Sequence, residues 1–148
     1  MASQLPFDTL LSLAKDQVDA AVKHLGALNV ARTNARRQFD MLMEYRQDYL
    51  VRLQTALATG MSASDCQNYQ RFICTLDDAI AQQTNVLDTA EKQLAAGRLA
   101  WQEAQRRHNA YDALLKRDQM ARNAVAAKRE QNANDEFASR RKMRLADA

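Results

Sequence analysis

Apolar residues recur at alternating steps of three and four along most of the chain, and this repeat constrains the fold more than any other feature. Counting from Leu11 gives Leu11, Ala14, Val18, Ala21, Leu25, Leu28, Arg32, Ala35, Phe39, Leu42, Arg46, Tyr49, Leu53 and Ala56, twelve of fourteen apolar. A second series starts at Cys66 and passes through Tyr69, Ile73, Leu76, Ile80, Gln83, Leu87, Ala90, Leu94, Gly97, Trp101, Ala104, His108, Tyr111, Leu115, Asp118, Arg122 and Val125. Thirteen of these eighteen are apolar, and the pattern decays after Leu115. A period of 3.5 residues held this long keeps one stripe of a helix against a partner helix. The expected fold class is all-α, an antiparallel two-helix coiled-coil hairpin with a longer second helix. Small residues at d positions of the first helix (Ala14, Ala21, Ala35, Ala56) let the two backbones approach closely.

Punctuation locates the turn. Gly and Pro number four together, where average usage gives about 18, so folds rich in tight turns are excluded. Pro6 suits a helix start, and Asp8 complements the positive end of the helix dipole. Gly60 suits the residue just past a helix end. Ser64-Asp65-Cys66-Gln67 fits a capping box with Ser64 as N-cap. The reading is one coiled-coil domain over 1–148, with a helix at 7–59, a turn at 60–64 and a helix at 65–143. A short turn makes the helices antiparallel, so facing residues have numbers adding to about 125. That sets Leu53 beside Phe72 and Ile73, Tyr49 beside Leu76, and Leu11 beside Leu114. At 1.5 Å per residue the helices reach ~75 Å and ~110 Å, so the second overhangs the first after about position 117.

Several classes of function find no support in the residues. Net charge is +3 with both signs mixed, which suits an exposed, solvated surface. No run of 18 apolar residues offers a spanning helix, and Met1 to Asp16 lacks the pattern of a secretory signal. Cys66 and Cys74 lie ~12 Å apart along a helix, too far to bridge, so a reduced cytoplasmic protein is expected. Gly26, Gly60 and Gly97 are isolated, which leaves no phosphate loop. His24 and His108 stand in no ligand motif, so neither metal nor other cofactor is expected. A two-helix coil also has no cleft in which to tune a carboxylate pair. The expectation is a binding protein and not an enzyme.

Two surfaces are candidates. With Leu42 and Tyr49 at d, Tyr45 falls at g; with Leu76 at d, Phe72 and Ala79 fall at g. In an antiparallel pair the g positions of both helices share one side. Leu42, Tyr45, Tyr49, Phe72, Leu76 and Ala79 then form one aromatic-rich strip edged by Gln38 and Gln83. Coiled coils ordinarily carry charge at g. The strip reads either as a protein-binding face or as a widened seam. The second candidate is the overhang. Residues 98–148 carry +5 against −2 for 1–97, and Arg140, Arg141, Lys142 and Arg144 are its densest basic cluster. It reads as a solvated tail, as a segment docking into an acidic protein cavity, or as a phosphate contact. It lacks the interleaved aromatics that single-stranded nucleic acid would stack on, so nucleic acid is not expected.

Three segments resemble the FliJ family of flagellar export proteins: Met41-Leu42-Met43-Glu44-Tyr45-Arg46-Gln47-Asp48-Tyr49, Asn68-Tyr69-Gln70-Arg71-Phe72 through Ile80, and Asp135-Glu136-Phe137-Ala138 through Met143-Arg144. The resemblance implies a soluble component of the flagellar type III export apparatus at the cytoplasmic face of the inner membrane. It implies a coiled coil similar to the γ stalk of rotary ATPases. It further implies association with the hexameric export ATPase, binding to the linker of the export-gate protein FlhA, and escort of export chaperones. The gate-binding surface would fall on Gln38, Leu42, Tyr45, Tyr49, Phe72, Leu76, Ala79 and Gln83. The part associated with the ATPase ring would include Arg122, Arg129, Phe137, Arg140 and Arg141. Apart from the resemblance, a generic scaffold coiled coil and a basic nucleic-acid-binding rod stand as alternatives.

Overall fold

A computed structural model of the chain describes residues 6–147. The expected span 1–148 includes residues 1–5 and 148, which lie outside the described residues. The chain forms two helices, α1 (Pro6–Thr59) and α2 (Ala63–Ala146), with no strand among the described residues. They pack against each other as an antiparallel hairpin.

The turn shows why the chain reverses where it does. Gly60 adopts φ 92°, in the left-handed region that costs a residue without Cβ least. Ser62, not Ser64, is the N-cap of α2. Its hydroxyl accepts from the Asp65 N–H at 3.2 Å, and its carbonyl accepts from the Cys66 N–H at 3.0 Å. Asp65 thereby takes the third helical position, where its carboxylate faces the positive end of the dipole. Either serine has the chemistry to cap, but only Ser62 leaves a connection of three residues between the helices.

The earlier start moves the pairing. The ring of Tyr49 lies 4.2 Å from that of Phe72, one turn from the Leu53 expected there. Arg46 pairs with Asp77, and Arg32 with Glu91 at 3.9 Å. Leu28 approaches Gly97. Facing numbers add to 121 for Tyr49–Phe72, 123 for both ion pairs and 125 for Leu28–Gly97, so they centre slightly below the expected 125, near the total of 122 for the two residues flanking the turn.

By compactness the described residues fall into two units. One unit, Asp19–Glu103, contains the turn. Its buried residues are small or aliphatic: Ala35, Leu87 and Ala90 cluster with Phe39 packed against them, and Ile73, Leu76 and Leu94 are also buried. A Cβ at Gly97 would stand 2.6 Å from Leu28 Cδ1, which shows how closely the helices approach there. Gln83 occupies a seam position and donates its amide to the Ala35 carbonyl on α1 at 3.0 Å. In the other unit, formed by residues up to Val18 and from Ala104, Ala14 and Leu115 are buried and His108 and Asp118 half-buried. Every described residue after Asp118 is exposed.

All fourteen positions of the first series are buried or half-buried, as are all of the second through Asp118. Arg122 and Val125 are exposed. Among the described residues no helix is long and apolar enough to cross a membrane.

Candidate protein-binding site

The g strip lies within the unit that contains the turn. Tyr45 keeps 51% of its surface exposed and Phe72 41%, although both are large and apolar in body. Beneath them Leu76 is buried at 7%, so it is the floor of the strip and not part of its outer face. Leu42, Tyr49, Ala79 and Gln83 are half-buried, and Gln38 is exposed. Tyr49 joins the two helices: its ring packs on Phe72, lies 6.2 Å from that of Tyr69, and carries the Arg52 guanidinium at 5.5 Å on its face. Gln83 spends its amide within the coil, so only its edge remains for a partner.

The two flanks of the seam are chemically different. Arg46 and Arg32 sit at seam positions and reach toward one flank, where Asp77 and Glu91 occupy e positions. The strip occupies the g flank. Charged seam side chains thus escape toward e and leave the aromatics at g clear of ion pairs.

The C-terminal part of α2 presents the second set. Arg122 is held by Asp118 one turn earlier, Nε to Oδ2 3.3 Å, and lines a shallow groove with Val125 and Arg129. Phe137, Arg140, Arg141 and Arg144 line another. Their spacing of three, four and seven puts them on one helix face, with Phe137 70% exposed amid three guanidinium groups. No group of three or more potential metal ligands occurs among the described residues.

Comparison with known proteins decides the family. The family model described as "Flagellar FliJ protein" matches residues 3–146. A Flagellar FliJ protein of Salmonella typhi is 32% identical over 144 residues, covering 97% of this chain and 98% of that protein. A Flagellar FliJ protein of Escherichia coli (strain K12) is 31% identical over 144 residues, with the same coverage of each. The chain belongs to the FliJ family.

In this member of the family the heptad pattern marks the strip but not the neighbours that complete it. Tyr69 and Arg52 complete the aromatic cluster, though the repeat alone places Tyr69 in the seam and gives no sign that Arg52 stacks on Tyr49. Arg52 itself stands at g, one heptad from Tyr45. Arg144, part of the basic cluster already evident in the sequence, stands at i+7 from Phe137.

Proposed function

We propose that this FliJ family member is a non-enzymatic component of the flagellar type III protein export apparatus. Its strip engages the linker of the export-gate protein FlhA, and the C-terminal part of α2 associates with the export ATPase ring. One helix, α2, carries both Phe72 and Arg141. In this reading the protein works at the cytoplasmic face of the inner membrane, as a stalk similar to the γ subunit of rotary ATPases, and also escorts export chaperones.

The observation that carries the gate-binding role is the exposure of Tyr45 and Phe72 at positions where coiled coils place charge. Aromatic groups left in water beside a packed floor are the usual anchors of a protein interface. For the ring, long Arg side chains around Phe137 suit an acidic protein wall, since each guanidinium forks to a carboxylate while its stem covers apolar surface. The test is the Tyr45→Ala/Phe72→Ala double variant, titrated with a gate-linker peptide. Binding is expected to weaken at least tenfold while far-UV circular dichroism is unchanged. Undiminished binding removes the strip from the gate.

A further inference from the structure

One cation stands on the strip itself. Arg52 occupies g, and its guanidinium lies 5.5 Å from the centre of the Tyr49 ring, which packs in turn on Phe72. Arg52 and Phe72 add to 124, within the range of the observed pairings, so they share a level of the hairpin. The Arg52 side chain is exposed, yet it joins no ion pair or hydrogen bond among the described residues. Two acids could have taken it. Asp48 precedes it by one turn, and in that same order Asp88–Lys92, Asp112–Lys116 and Asp118–Arg122 close at 2.9, 3.0 and 3.3 Å, while Asp48–Arg52 stays open. Asp65, at g on α2 one heptad before Phe72, sits in the first turn of that helix, where the dipole complements it. Arg32 and Arg46, by contrast, are both paired across the seam. The contact with Tyr49 consumes none of the five N–H donors of Arg52.

We propose that Arg52 binds a carboxylate of the partner: the segment seated on the strip carries an Asp or Glu level with Phe72, on the turn side of the apolar residue that packs against Tyr45. The proposal rests on the gate-binding role above and assigns that site its ionic contact. Desolvation selects the acid. A partner that covers Tyr49 and Phe72 also strips water from the guanidinium beside them, and a buried charge without a counter-charge is costly. A neutral or basic residue at that level is therefore rejected. The ring favours the pair as well, because a guanidinium already held in place loses little freedom when it forks to a carboxylate. The far end of the strip has no such group. Tyr45 is level with Ala79, and beyond them stand the amides of Gln38 and Gln83, the latter spent on the Ala35 carbonyl. With its ionic contact at one end only, the strip fixes the direction in which the segment lies.

The experiment titrates the full chain by calorimetry with a synthetic gate-linker peptide and with a second peptide in which every Asp and Glu is replaced by Asn and Gln. The wild-type chain is expected to bind the neutralised peptide about tenfold or more weakly than the native one. Arg52→Gln, a good helix former at an exposed position, is expected to lose about as much on the native peptide and to bind both peptides alike. Arg52→Lys should recover part of the loss, since an ammonium attracts a carboxylate but does not fork to it. Should Arg52→Gln melt early, Arg52→Met keeps an unbranched stem over Tyr49 without the charge and gives the same reading. An equal loss on both peptides would mean that Arg52 acts only by packing on Tyr49, and overturns the proposal. So does wild-type affinity of Arg52→Gln for the native peptide; if Tyr45→Ala/Phe72→Ala abolishes binding all the same, the gate role survives. No binding to the wild-type chain defeats both.

Discussion

Ser62 and Ser64 stand two residues apart, and the choice between them sets the geometry of everything that follows. A hydroxyl at the N-cap satisfies one helix N–H that otherwise has no partner, worth ~1 kcal/mol. Because Ser62 makes that bond, Ser62→Ala should lower stability by about 1 kcal/mol in urea denaturation, and Ser64→Ala by under about 0.5 kcal/mol. Equal effects would mean that the cap is not at Ser62. Gln83 supplies the second test at this scale. Its amide reaches a helical carbonyl, so Gln83→Ala loses one hydrogen bond and some packing, about 1 kcal/mol. Gln83→Leu removes donor and desolvation cost together and is expected to match or exceed the wild-type melting midpoint. A large loss with leucine would show that the amide carries more than its one bond.

At the scale of the helices, the seam was almost wholly legible. The three-four repeat is a direct consequence of 3.6 residues per turn, so the residues that face a partner can be counted without knowing the partner. The same counting picks out Tyr45 and Phe72 as apolar residues one step outside the stripe. Pairing was less legible, because it depends on where the second helix begins, and two serines compete for that role. The direction in which Arg32 and Arg46 leave the seam was not legible either. It is decided by Glu91 and Asp77 across the interface, which no single-helix pattern contains. These pairs orient side chains more than they stabilise the coil. Arg46 and Asp77 keep 36% and 48% of their side-chain surface in water, so a double-mutant cycle should return a coupling of only ~0.2–1 kcal/mol, smaller still in high salt. Coupling well above that range would make the e flank a stabilising element and not merely the flank toward which the seam arginines turn.

For the whole molecule, the two candidate surfaces separate by their relation to the seam. The strip is built on packed helices and depends on them for its shape. The segment after Asp118 has no shielded residue, so nothing in this chain requires it to be there. An exposed single helix of some thirty residues is supported mainly by its own backbone, with weak i,i+4 pairs such as Asp118–Arg122 adding ~0.3–0.5 kcal/mol. A chain ending at Asp118 should therefore melt within ~4 °C of the full chain and bind the gate-linker peptide unchanged. Its association with the export ATPase should be lost. The basis of that association is separable by salt. Arg140→Ala/Arg141→Ala should weaken it most at low ionic strength, where exposed charges are least screened, whereas Phe137→Ala should weaken it about equally at all salt concentrations, since burial of a ring is not screened. If the truncated chain still associates with the ATPase, the grip lies elsewhere, and the cluster around Phe137 has no part in it. If the truncated chain instead melts far below the full one, the exposed segment is supporting the seam, and its availability to a partner fails as a premise.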